Sequence, residues 1–311
     1  MAQTLANANN RTYAAAHFAL ELDNTGGSIG LFRSVEGGGV KADVMTYQGG
    51  GAHTQFRQLG KPKFEDLKLQ VGMAMSLPFY TWISRFFTGQ PDTRSGAIIA
   101  ADFYYNERAR RTFSGAVIKE VGFPKLDASD KSAVYMSVGI AVENIQFGVG
   151  SGAKLSQLAG MPQQKLWSAC NFRMSLSGYD TSRVSKVDAI TCKQNVIENH
   201  VGGSRQPFKM MGYVERPTIS FYLPEADAKA YYKRATDGAI AGKPAIANGQ
   251  IEYLDAKGNR LAEVAFMNAD IVGVSPDRQD ATTEEIKQVK VDLYCEQFGF
   301  SYGDIGLGDL Q

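Results

Sequence analysis

The chain repeats a pattern against itself at a fixed distance. The stretch from Gly49-Gly50-Gly51 to Val71 (GGGAHTQFRQLGKPKFEDLKLQV) returns as Val201 to Leu223 (VGGSRQPFKMMGYVERPTISFYL). Pairing Gly50 with Gly202, Phe56 with Phe208, Gly60 with Gly212 and Val71 with Leu223 gives one offset of 152 residues. Upstream, Val35/Val187, Lys41/Lys193 and Val44/Val196 keep that offset without a gap. Leu67, Leu69 and Val71 alternate with polar residues, and Ile219 and Leu223 fall at the corresponding apolar positions. Period-two alternation after a glycine break marks a half-buried strand leaving a turn. A chain of 311 residues has room for two domains, and the offset makes them two copies of one unit.

Hydrophobic residues at 44% and charged residues at 21% suffice for a core in each half. A net charge of +1 gives no whole-protein field, so nucleic acid or an acidic membrane surface is not implied. The opening MAQTLANANNRTYAAA has no basic segment followed by an apolar core, so no secretion signal is expected. The longest apolar run, near Ala97–Ala101, is too short to span a bilayer, and membrane insertion is not expected. Cys170, Cys192 and Cys295 are odd in number and widely spaced, which fits buried reduced thiols of a protein made in a cytoplasm.

Along the chain, residues 1–16 read as an arm, 17–148 as the first domain, 149–169 as a linker, 170–300 as the second domain and 301–311 as a tail. Strands are expected at 17–22, near 31–32, at 40–46, 64–71, 96–105, 111–121 and 135–147, and no element is assigned to 56–63. Pro78 early and Gly89 late bound a helix whose Phe79, Trp82, Ile83, Phe86 and Phe87 share one face. The linker carries a possible short helix at 155–166. In the second half, strands are expected at 172–176, 187–196, 218–223, 251–254, 261–266 and 289–293. A helix is expected from Pro224 to Gly238. Asp255 to Asn259 (DAKGN) reads as a hairpin turn. Phe113/Ala116 recurs as Phe266/Ala269, and Gln146-Phe147-Gly148 as Gln297-Phe298-Gly299.

Catalytic signals are missing from the residues. His17, His53 and His200 form no pair at metal-ligand spacing, and there is no Cys-x-x-Cys. Gly148 to Lys154 (GVGSGAK) misses both the P-loop and the dinucleotide fingerprints. No nucleophile elbow or paired carboxylate motif stands out. No enzyme activity, cofactor or metal is expected, and two similar halves without a site suit an assembly part. Arg108, Arg110 and Arg111 make the notable basic run, which reads either as a solvated face or as an interfacial or lumenal charge cluster.

The order of several short motifs resembles the T4-type tube family of contractile phage tails and related injection systems. Gly30-Leu31-Phe32-Arg33-Ser34-Val35-Glu36-Gly37, the turn Tyr47-Gln48-Gly49-Gly50 and the run Arg57 to Gly72 fall in the family's order. Trp82 sits where a helical Trp is common, and Phe113 to Ala116 and Glu143 sit in the late strands. Residues 17–148 carry the resemblance. The second half shares Gly202-Gly203, Gly212, Asn268-Ala269 and Glu296 but lacks the helical Trp.

The resemblance implies a mainly β fold: two tandem tail-tube-like β-barrel or sandwich domains, each with one short flanking helix. It implies a ring that builds the inner tube, or joins the tube to the hub and spike, and lines a conduit for DNA or protein cargo. Six domain places could be filled by three chains with pseudo-sixfold symmetry, or six chains could form the ring. Partners would be further copies of the chain, neighbouring tube, hub, baseplate and sheath proteins, in a virion tail or injection particle. The glycine-rich turns would reach stacked rings, giving Tyr47, Gly49, Gly50, Gly51, His53, Phe56, Arg57, Gly202, Gly203, Arg205 and Phe208 as assembly residues. Alternatives are a type VI-like secreted ring-forming carrier and a β-rich enzyme or carbohydrate-binding protein.

Overall fold

Alternating apolar and polar residues carry most of the chain into antiparallel strands, in a computed structural model that describes residues 15, 17–23, 29–48, 50, 55–72, 75–155, 167–242, 244–277 and 286–302. The first half begins with β1 (His17–Leu22), β2 (Gly30–Phe32), β3 (Ser34–Gly37), β4 (Val40–Tyr47), β5 (Phe56–Phe64) and β6 (Leu67–Val71). Helix α1 (Leu77–Thr88) follows, then β7 (Arg94–Ala101), β8 (Glu107–Phe123), β9 (Leu126–Asp127), β10 (Met136–Ala141) and β11 (Asn144–Val149). The second half opens with β12 (Phe172–Leu176), β13 (Lys186–Val187), β14 (Ile190–Asn199), β15 (Phe208–Glu215) and β16 (Ile219–Pro224). It closes with α2 (Lys229–Ala241), β17 (Ala247–Leu254), β18 (Arg260–Pro276), β19 (Gln288–Tyr294) and β20 (Gln297–Tyr302). The fold is mainly β with two α-helices among the described residues.

One strand order serves both halves. β1-β7-β8-β10-β6-β3 in the first matches β12-β17-β18-β19-β16-β13 in the second, with β11 on β8 and β20 on β18. Hairpins β4–β5 and β14–β15 complete the sets. The irregularities match as well. Bulges at Ala42/Val44, Arg94/Gly96, Ala100/Ala101 and Gly139/Ile140 recur at Gln194/Val196, Ala247/Gly249, Tyr253/Leu254 and opposite Ile271/Gly273. The offset is 152 before the helices and 153 after them, because α2 is one residue longer than α1. Two glycines at positive φ illustrate the backbone demand. Gly89 caps α1 at φ 69°, and Gly242 caps α2 at φ 61°.

Long strands β8 and β18 tie each half together. Residues 107–116 of β8 pair with β7 and β11, while 117–122 pair with β10. Gly115, at φ +62°, sits at the crossing, and a Cβ there would lie 2.2 Å from the Glu143 carboxylate. Asn268 takes the matching place in β18 at φ 52°; Asn tolerates this region better than most residues.

Several sequence expectations need correction. Phe56–Phe64 is strand β5, where no element was expected before Phe64; Gly60, Pro62 and three basic residues hide its period, and its side chains are mostly exposed. The single strand expected over 135–147 breaks into β10 and β11 around Val142-Glu143. The one expected over 187–196 breaks at Asp188-Ala189. Gly238 lies inside α2, which runs on to Gly242. Asn144, not Gln146, is the counterpart of Gln297, since both start strands paired to Ser114 and Met267 of β8 and β18. The start of the expected linker is held, not free: Gly150, Gly152 and Leu155 donate backbone hydrogen bonds to Arg108, Glu107 and Tyr105. The short helix expected at 155–166 lies outside the described residues except for Leu155, as do the N-terminal arm (Ala15 apart) and nearly all of the tail.

The hydrophobic core runs through both halves. Helix α1 buries Phe79, Tyr80, Trp82, Ile83, Phe86 and Phe87. That is more than one stripe, because the second half covers the helix as well. Tyr80 stacks on Tyr302 with ring centroids 3.8 Å apart and lies 6.1 Å from Phe300. Phe123, near the end of β8, meets both Phe87 and Phe300. Tyr80→Ala is therefore expected to cost about 3–5 kcal/mol of unfolding free energy, the range for a buried aromatic truncation. Tyr232→Ala, at the matching half-buried position of α2, should cost about 1 kcal/mol. Urea titrations of both variants check the difference.

Candidate functional site

The residues with most to do structurally lie along the seam between the halves. There, β14 pairs with the end of β8 in the register Ile190–Phe123, Thr191–Gly122, Cys192–Val121 and Lys193–Glu120. β13 pairs with β9 beside it. One sheet thus crosses from half to half, and each strand edge that meets there satisfies its backbone groups on the other. The Glu143 carboxylate accepts the backbone N–H of Lys209 at 2.6 Å, and Gln206 donates to Asn144 at 3.4 Å. Asp66 receives Lys119 at 2.6 Å and lies 3.7 Å from the Lys209 ammonium. Lys63, Asp66, Lys119, Glu143, Gln194 and Lys209 all border a cleft at this seam. None of these contacts is visible as a spacing motif. The one available signal was that Glu143 and Glu296 repeat at the same 153-residue distance as Phe113 and Phe266.

The expected assembly residues divide between two hairpins. Tyr47 ends β4 and Phe56 starts β5; both are exposed, with ring centroids 6.5 Å apart. Arg57 follows on β5, and Gly50 lies in the exposed turn. Gly49, Gly51 and His53 lie outside the described residues. Gly202 and Gly203 form the exposed turn before β15, where Phe208 is exposed in its turn. Arg205 does not stand free: its guanidinium donates to the Gly60 carbonyl at 3.4 Å, and Lys61 donates to the Ser204 carbonyl at 3.3 Å. The second hairpin's turn thus rests against the first hairpin. Exposed Val44, Met45 and Leu59 on one hairpin, and Ile197, Met210 and Tyr213 on the other, give both an apolar surface left uncovered among the described residues.

The basic run on β8 is placed beside acids. Arg108 pairs with Asp102 at 2.7 Å, and Arg110 with Glu107 at 2.7 Å and Glu21 at 2.8 Å. Arg111 donates to the Gly37 carbonyl at 3.1 Å. Asp102 also accepts the backbone N–H groups of Tyr104 and Asn106, fixing a turn whose tip exposes Phe103 and Tyr104. Asp255 does the same for Lys257 and Asn259 in the second half. Desolvation alone would raise the Asp102 pKa. The hydrogen bonds from Asn106, Arg108 and Tyr104 outweigh it and hold the carboxyl down to about 2.

Residues 14–146 match the model of the family described as T4-like virus tail tube protein gp19. That match covers less than half of the chain. No curated protein matches the chain. Among solved structures, a chain of the extended PVC sheath–tube complex, an extracellular contractile injection system, is 17% identical. The match covers 43% of this chain and 89% of that one, with a TM-score of 0.36. A chain of the tube-terminating cap of the anti-feeding prophage is 18% identical over 49% of this chain and 98% of its own, with a TM-score of 0.32. Hcp1 from Flavobacterium johnsoniae is 10% identical over 43% of this chain and 96% of its own, with a TM-score of 0.27.

The glycines of the two exposed hairpin turns are not conformationally demanding. Gly50, and likewise Gly202 and Gly203, lie outside the positive-φ region and have open space around a built Cβ. Gly50→Val and Gly203→Val are expected to leave stability within about 0.5 kcal/mol. Gly115→Val, by contrast, meets both a positive φ and the Glu143 carboxylate, and should lower the melting temperature markedly in a parallel thermal scan.

The Asp102 turn sets a pH expectation. A depressed carboxyl stabilises fully above its unfolded pKa of about 4 and loses that contribution as pH falls through the folded value. Tyr104 and Asn106 amide resonances should therefore keep their native positions at pH 3 and shift only as pH approaches about 2.

Proposed function

We propose that the chain is a structural ring-forming component of a contractile tail or injection system. It would supply two tube-like domains, residues 17–148 and 170–300, joined through 149–169, to one wall. Three such chains would complete a ring with pseudo-sixfold symmetry around a conduit for DNA or protein cargo. The ring would stack on tube proteins or adapt the tube to the hub, with baseplate and sheath proteins as further neighbours. The hairpin residues Tyr47, Phe56, Arg57 and Phe208, with the turns carrying Gly49 to Gly51, His53, Gly202, Gly203 and Arg205, would contribute to ring closure and stacking. Arg108, Arg110 and Arg111, largely balanced by Asp102, Glu107 and Glu21, would present a weak rather than a strongly basic field there.

The observation that carries this reading is the β8–β14 ladder. It sets two like-folded halves side by side in one sheet, as neighbours in a wall must be, instead of stringing them apart on a linker. The family match over residues 14–146 supports the tube assignment. Light scattering coupled to size exclusion tests it: three chains of 33.8 kDa give about 101 kDa, and negative-stain averages should have an open centre. A particle of six chains would support the ring with the second domain decorating it. A stable single chain at high concentration would remove the proposal.

A further inference from the structure

We propose that the joint between neighbouring chains is a second copy of the joint inside the chain, with β4 and β11 of one chain receiving β18 and α2 of the next in a fixed register. The proposal takes its partner, another copy of this chain, from the ring reading above; the contact itself follows from the internal repeat.

Inside the chain, the first half offers the end of β8, helix α1 and the Glu143 carboxylate. The second half receives them with β14, β20 and the N–H of Lys209. Moving each group by the repeat offset gives a matching pair of surfaces at the chain's two outer ends. The second half offers residues 273–276 of β18, helix α2 and Glu296. The first half would receive them with β4, β11 and the N–H of Arg57. Among the described residues, β4 pairs only with β5, and 273–276 of β18 pair only with β19. Both edges are open where their counterparts are closed.

Burial shows the same vacancy side chain by side chain. Cys192 of β14 is 0% exposed, whereas Val40 of β4 is 51% exposed. Phe300 of β20 is 2% exposed under α1, whereas Phe147 of β11 is 60% and Val149 94% exposed. On the opposing surface, Tyr80 of α1 is fully buried while its counterpart Tyr232 of α2 is only half-buried. Uncovered apolar residues thus occur in both surfaces, at the positions the internal joint covers. Filling both by the same docking removes apolar area from water on each side.

The register is set by the pairs Val121–Cys192 and Glu120–Lys193. Their counterparts are Val274 opposite Val40 and Gly273 opposite Lys41, with Ser275 opposite Gly39. The next rung would place Pro276 opposite Gly38. Proline has no N–H to give, and Gly38 at φ +77° has left the strand conformation. The ladder between chains therefore ends one rung earlier on both strands together. Glu296, which accepts the Asn268 amide at 2.9 Å, keeps carboxylate capacity for the Arg57 N–H, as Glu143 serves Lys209. The two surfaces differ from each other, so the contact is head-to-tail and either closes a ring or continues as a filament.

Paired cysteines test the register in a Cys170→Ser background. Burial pushes the Cys192 and Cys295 thiols up to about 12, so neither competes for oxidation. Val40→Cys with Val274→Cys, oxidised with copper–phenanthroline, should give covalent dimers and trimers on denaturing gels and nothing larger. Val44→Cys with Val274→Cys, four residues out of register, should stay uncrosslinked. Phe147→Glu should convert assemblies to the 33.8 kDa chain with unchanged far-UV dichroism. Rings of the expected mass without the 40/274 crosslink, or with equal crosslinking at 44/274, would overturn this joint and leave the ring reading standing. Rings that survive Phe147→Glu would overturn the α2–β11 contact. A wild-type protein that stays single-chained would overturn the joint and the ring reading together.

Discussion

A strand edge that ends in the interior of a protein must be paired, and here one edge determines the architecture. Ile190 to Lys193 of β14 lie against β8, and no water replaces that partner, since Ile190 and Cys192 are buried. Once the ladder is made, the rest of the seam is placed by it. Helix α1 is trapped between two sheets, Phe123 reaches Phe300, and Glu143 comes opposite the N–H of Lys209. The terms are unequal. Each buried aromatic contributes on the order of 2–3 kcal/mol by area, while the part-exposed Lys119–Asp66 pair adds about 1 kcal/mol or less. Apolar burial supplies the stability, and the ladder supplies the register.

The halves keep their backbone and exchange their side chains. Trp82 of α1 corresponds to Arg234 of α2, and Val117 of β8 to Asp270 of β18. Arg234 and Asp270 then pair with each other across the helix–sheet contact, where burial alone would raise the Asp270 carboxyl but Arg234 and two backbone N–H groups bring it below its ordinary value. Two buried apolar residues of one half have become an ion pair in the other. The Glu107–Arg110 pair of β8 likewise becomes Arg260–Glu263 in β18, with the charges reversed in order. Such swaps preserve a fit while erasing identity. They explain why the repeat is faint in letters and complete in geometry.

What could be read from the sequence was local. The alternation of Leu67 to Val71, the bounds of α1 at Pro78 and Gly89, and the Asp255 turn each follow from a few neighbouring residues. Strand β5 was not legible because its residues face solvent within the chain, and no buried face imposed a period on FRQLGKPKF. The ends of β10 and β13 carry no signature, because each break is only two residues long. The seam was illegible for a different reason: Glu143 and Lys209, or Tyr80 and Tyr302, meet only through tertiary structure. The arginine run showed its charge in the sequence, but Asp102, Glu107 and Glu21, which balance it, came from the fold.

The four bulges shared by the halves have a consequence beyond bookkeeping of strands. An extra residue in a strand fixes a local bend and tightens its twist. With the extra residues at the same four places, both halves carry the same bend. Side chains differ freely between the halves, while the places at which their strands bend do not.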